Sequence, residues 1–474
     1  MRLTVFFILL FFLIVFLAQV LKYNSYIASV VEFESAEVRW QDLKNDPMSY
    51  ISQNMEQLRS YVLESKNQGS DIIIFPEYGL ESLMASNVSP QTANNFSQIL
   101  PEDIPQKKSL CFDSESNSLD NLLLRNLSCI AAENQIYLVV NLLTKEWNAK
   151  ESIFQHSNTN VAFDRRGRVI ARYRKFNTYH EPVVNNELSE PDISYFDTDF
   201  GARIGLMTCF DILFDKPSKG LLAAGVDAIA FPTAWVDELP FLTAIGYHPG
   251  AARMLNTTIL SSGHHYLKSG TTGSGIYSPD RVIKYTWNDV PKVITSKVDS
   301  SETFSHGIEV DREPKLNLED LHGYMFMNVP NGEGSLRINA NGTNCNLEYS
   351  LRLADFPSES GYVFMGKKGE RTFGGTYPYV IQSCGIVFCE NQTDYLTCGF
   401  PSQISLKEAT FDRISLSGSF DKGVTPAPVS LNHDYRPFMG MTLMFDCDSI
   451  NRCHYSNEEP LTNLYTFGLY GVLD

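Results

Sequence analysis

The chain has 474 residues, 43% of them hydrophobic, which is ordinary for a globular protein and leaves room for roughly two or three folded units. Its formal charge is -17. With no basic stripe, that excludes nucleic acid as a partner and points to a soluble acidic surface.

From the N-terminus, Arg2 precedes an apolar run over 3–20. This reads as a secretory signal peptide at 1–24, with an uncleaved signal anchor as the alternative. Sequons of the N-x-S/T type begin at Asn87, Asn95, Asn126, Asn256, Asn341 and Asn391, and together they favour passage through the secretory pathway. The tail TNLYTFGLYGVLD is too short and too polar for a removable lipid-anchor signal. The expected product is secreted, with no stable membrane association after signal cleavage.

A strand is expected at 26–32. Met48, Ile51, Met55, Leu58 and Val62 recur at helical spacing and lead into an apolar strand at 72–75. A helix is expected near 119–133, a strand at 136–142, then a hairpin of 160–163 and 169–173 around the turn DRRG. Strands follow at 203–208, 227–231 and 258–261. Short apolar strands between helices imply a sheet covered on both faces. Beyond about residue 300 helical periodicity fades, β-like runs appear at 379–382 and 385–388, and cysteines cluster. The domain reading is therefore a catalytic unit at 25–300 and a β-rich, disulfide-stapled unit at 301–474.

Nine cysteines leave at least one unpaired. Cys111 and Cys129 lie early, and Cys345, Cys384, Cys389, Cys398, Cys447 and Cys453 lie late. These could form bridges in an oxidising compartment, in a connectivity that spacing does not reveal. Cys209 stands apart, where the strand RIGLMT breaks off.

Glu77 and Lys175 likewise follow apolar strands, and the edge of a covered sheet is the usual place for a site. A carboxylate can take a thiol proton, so Glu77 is the candidate general base and Cys209 the nucleophile. A lysine can hold negative charge developing on a carbonyl oxygen, so Lys175 is the candidate oxyanion-stabilising proton donor. The backbone N–H of Phe210 is a second candidate donor, and the helix expected after Cys209 would favour the thiolate through its dipole. Spacing alone does not single out these residues. The adjacent His264 and His265 are a poor two-point metal ligand, because neighbours in a strand face opposite ways. A rim or polar-loop role is preferred for them, and neither a metal nor another cofactor is expected.

The segments IIIFPEYGL, RYRKFN, FDTDFGARIGLMTCFDILF, FPTAWVDELPFLTA and TGSGIYSP resemble the nitrilase superfamily, and CGIVFCENQTDYLTCGF resembles the cysteine-rich module of its vanin and biotinidase branch. The resemblance implies an α/β fold, a nitrilase-type α-β-β-α sandwich followed by the β-rich domain. It implies a Glu-Lys-Cys triad matching Glu77, Lys175 and Cys209. Glu181 and Trp235 also match branch positions, so with His264 and His265 they are the substrate-binding candidates. Tyr78 departs from the Asp that relatives often carry, and LSSGHHYLKSGTTGSG departs from the branch pattern near the pocket. The implied activity is hydrolysis of a small linear non-peptide amide through a thioester. Pantetheine is the first substrate, biotin amides are the second, and a non-catalytic secreted binder is the competing class. Oligomeric state stays open.

Overall fold

The computed structural model describes residues 25–473 except 37, 114–118, 288–289, 299–315, 354–356, 403, 405, 408, 435 and 439–441. The expected signal peptide and the boundary near 300 therefore lie outside the described residues. Two six-stranded sheets make up the first part of the chain. One contains β1 (Tyr26–Glu32), β2 (Ile72–Ile74), β3 (Tyr137–Asn148), β4 (Ile153–Phe163) and β5 (Val169–Arg174), with Lys292–Val298 on the far side of β1. The other contains β6 (Tyr195–Asp197), β7 (Arg203–Leu206) and β8 (Ala228–Pro232), followed by Thr258–Ser262, Gly275–Tyr277 and Val282–Tyr285.

Side-chain alternation explains why these sheets stack. In β2, Ile72 and Ile74 point into the layer between the sheets, and Ile73 points to the helices outside. In β8, Ala228 and Ala230 face that same inner layer, whereas Ile229 and Phe231 face outward. Strands apolar on both faces need cover on both faces. Helix Pro47–Asn67 supplies it on the first sheet through Ile51, Met55, Leu58 and Val62. Helix Ala244–Leu255 supplies it on the second through Ala251, Ala252 and Leu255. The result is an α-β-β-α sandwich, with each fully buried isoleucine contributing about 1.5–3 kcal/mol.

The later region has almost no helix. A five-stranded sheet orders Met325–Val329, Gly361–Phe373, Tyr377–Cys389, Leu464–Val472 and Ala427–Asn432. Its alternation is as regular: Val363 and Met365 face the sandwich, while Tyr362 and Phe364 face a second β-sheet. The two β-like runs of the sequence turn out to be one long strand, Tyr377–Cys389. Cys111–Cys129, Cys345–Cys384, Cys389–Cys398 and Cys447–Cys453 are bridged, and Cys209 is free. Among the described residues no helix is long and apolar enough to cross a membrane.

Candidate active site

Glu77 sits just beyond β2, where Pro76 ends the strand and Tyr78 takes a left-handed backbone at φ 53°. Two contacts hold that unfavourable turn. The Tyr78 N–H donates to Asn141 Oδ1 at 2.9 Å, and His264 Nε2 donates to the Glu77 carbonyl at 2.5 Å. Burial holds His264 down at about 4, so its ring is neutral and one nitrogen carries the donated proton. The Glu77 side chain is thereby aimed at the end of β5, where Oε1 accepts from Lys175 Nζ at 2.6 Å and from Asn158 Nδ2 at 2.7 Å.

Lys175 follows β5 directly, and its N–H donates to the Asn158 carbonyl at 2.8 Å. Its ammonium bridges two carboxylates, reaching Glu181 Oε1 at 2.6 Å as well. Glu181 also accepts from the Tyr179 N–H at 3.0 Å, from Asn158 Nδ2 at 2.8 Å and from Tyr78 Oη at 2.8 Å. These partners divide the carboxylates. Burial pushes Glu77 up, and Lys175 only partly offsets it. For Glu181 burial acts the same way, but Lys175 and the added donors outweigh it and hold the group below the usual range. Lys175 is raised despite burial, because Glu181 and Glu77 flank it.

Cys209 has φ 44°, a conformation that costs a non-glycine residue about 1–3 kcal/mol and turns its side chain off the sheet edge. Asp211 stabilises this turn. It accepts from the Thr208 N–H at 3.1 Å, from Tyr173 Oη at 2.8 Å and from the Asn177 N–H at 2.8 Å, tying the cysteine to the strand end that carries Lys175. The helix expected after Cys209 is instead a short 3-10 turn, Cys209–Leu213. Burial and then the Glu77 charge push the thiol up, with Lys175 pulling the other way. The dipole expectation is therefore corrected: at rest the sulfur holds its proton, and a base must remove it. Cys209 opens onto a cleft of about 290 Å³, walled by Phe210, Leu213, Trp235, Leu242 and Phe373.

Of the other sequence candidates, Glu181 joins the buried cluster and Trp235 lines the cleft. The Trp235 Nε1 donates to the Leu242 carbonyl at 2.8 Å, so this side chain is both wall and structural anchor. His264 and His265 are not cleft residues. Both are buried, the first behind Glu77 and the second against Glu32 at 3.3 Å. Asn87, Asn95, Asn256 and Asn341 are exposed, whereas Asn126 and Asn391 are half-buried. The sequence reading missed Asn141, Asn158, Asn160 and Asp211. A signal existed: asparagines two apart in HSNTNVAF share one strand face, and Asn141 interrupts the apolar run YLVVNLL.

Residues 45–244 match the carbon-nitrogen hydrolase family, and residues 315–473 match the vanin C-terminal domain. The chain is 30% identical over 398 residues to the pantetheinase of Mus musculus, covering 79% of this chain and 75% of that protein. It is also 30% identical over 427 residues to the biotinidase of Rattus norvegicus, covering 80% and 79%. A solved amidase of the nitrilase superfamily, from Nesterenkonia AN1, is 16% identical over 58% of this chain and 90% of its own, with a TM-score of 0.43. The chain belongs to the vanin and biotinidase branch of the carbon–nitrogen hydrolase family, and it is a hydrolase of non-peptide amides.

Proposed function

We propose that the protein cleaves pantetheine to pantothenate and cysteamine through a thioester on Cys209. The observation that carries this reading is Lys175 Nζ lying 2.6 Å from both Glu77 and Glu181, beside a free cysteine at the cleft. Glu77 takes the thiol proton, and the sulfur attacks the amide carbon. An ammonium has three donors, and two are spent on the carboxylates. Among the described residues the third has no partner, and in this proposal it serves the oxyanion. The amine leaves with the proton from Glu77. Water then attacks the thioester, gives its proton to Glu77, and releases the acid as the thiol re-forms.

A binder would have no need of two carboxylates around a buried ammonium, which argues against the non-catalytic reading. The domain reading, 25–300 for chemistry and 301–474 for the stapled β unit, belongs to this proposal. So does secretion through a cleaved 1–24 segment with glycans on the sequons, and the four paired bridges suit an oxidising compartment. Equal similarity to a pantetheinase and a biotinidase makes biocytin the second substrate to assay. The purified protein should release cysteamine from pantetheine, and Cys209→Ala should lose about a thousandfold or more of that rate. Release that survives in the variant, or turnover of biocytin alone, would contradict the proposal.

A further inference from the structure

The cleft beside Cys209 is mostly apolar, and Glu238 is the acidic side chain on its wall. Its carboxylate is held from behind. Oε1 accepts from Arg371 Nη2, and the Arg371 side chain is only 6% exposed against 27% for Glu238. Arg371 is wedged against the Phe373 ring at 4.3 Å and also faces Glu319 Oε2 at 3.2 Å. The guanidinium is thus shared between two acids and hidden, while the Glu238 charge faces the space a substrate would enter. Tyr179, on the same wall, has its phenol pushed up by burial and then by the Glu238 charge, so the acid acts across the cleft. Both Arg371 and Phe373 come from the later, β-rich region, on Gly361–Phe373.

We propose that Glu238 determines specificity, admitting neutral and cationic amides and rejecting those with a carboxylate near the reacting carbon, and that Arg371 fixes where this charge stands. The proposal rests on Cys209 being the nucleophile, so its test reads the sulfur and needs no turnover. Iodoacetamide and iodoacetate differ only in an amide against a carboxylate. With either, a carbon–sulfur bond forms, iodide leaves, and the thiol proton passes to base or solvent. Because the other cysteines are bridged, loss of free thiol reports Cys209 alone. At low salt, Cys209 should prefer iodoacetamide by about tenfold more than a simple thiol does, and this excess should shrink at high salt.

Glu238→Gln keeps an acceptor for Arg371 and should cut the excess by about threefold or more. Glu238→Asp, which withdraws the charge by one methylene, should fall between and serves if the first variant does not fold. Native protein with the selectivity of a simple thiol, or variants with the native excess, would overturn the assignment of Glu238. Failure of both reagents to modify native Cys209 would instead overturn the reading of the thiol on which it rests.

Discussion

At the residue scale the site is a set of hydrogen bonds that aim charged atoms. Asn158 is the hinge of the arrangement. Its amide nitrogen donates to both Glu77 and Glu181, and its oxygen accepts from Asn141 at 2.5 Å. Asn141 in turn also donates to Asn160, whose own amide reaches the Met207 carbonyl at 3.1 Å, two residues before Cys209. Side chains of the first sheet are thereby locked to one another and to the backbone that follows β7 in the second, before any substrate arrives, which is what pre-organised chemistry requires. In the proposed mechanism His264 acts through Glu77, as a positioning residue. His264→Phe removes the donor to the Glu77 carbonyl and should lower kcat by about tenfold to a hundredfold with little change in KM. His264→Gln can restore an N–H and should recover part of the rate. Equal loss in both variants, tracking a lowered Tm, would reduce His264 to packing.

At the scale of elements, each residue of the proposed triad stands where a strand ends: Glu77 after β2, Lys175 after β5, Cys209 after β7. The two sheets bring those ends together. Helix Ala244–Leu255 then joins the sandwich to the later region. Its Gly250 lies so near Ala427–Asn432 that a Cβ would stand 1.7 Å from the Pro428 carbonyl oxygen. Backbone cannot yield cheaply there, so Gly250→Ala should destabilise the protein by about 1–3 kcal/mol. A thermal melt would register this as a lower Tm. An unchanged Tm would mean that the two regions are not packed through this helix.

Over the whole molecule, what was legible in the sequence followed period and punctuation. The 3.6-residue spacing of Met48, Ile51, Met55, Leu58 and Val62 does lie on one helix, Pro47–Asn67, and the strand at 26–32 is β1 to the residue. The DRRG turn joins β4 to β5 as expected. Less legible was the full length of β3 and β4, because their outer ends carry exposed Trp147 and Ile153 with no buried face to mark a period. Nor was the turn after Cys209 legible. Its residues Phe210, Ile212 and Leu213 are apolar enough for a helix, but burial under the β-rich region and the grip of Asp211 hold them in a 3-10 turn. The site's candidates came from a resemblance, and their mutual geometry came only from the fold. Contacts such as His264 with Glu77 or Arg371 with Glu238 join positions far apart in the chain, and nothing local encodes them.

The central claim is that acyl transfer passes through Cys209. Hydroxylamine added during turnover of pantetheine tests it most directly, because a thioester partitions between water and the stronger nucleophile. The native protein should yield pantothenoyl hydroxamate among its products, with an acyl group on Cys209 in the acid-quenched chain and neither in Cys209→Ala. Pantothenate as the sole acyl product at every hydroxylamine concentration, with no acylated Cys209, would mean that water attacks the amide directly and would contradict it.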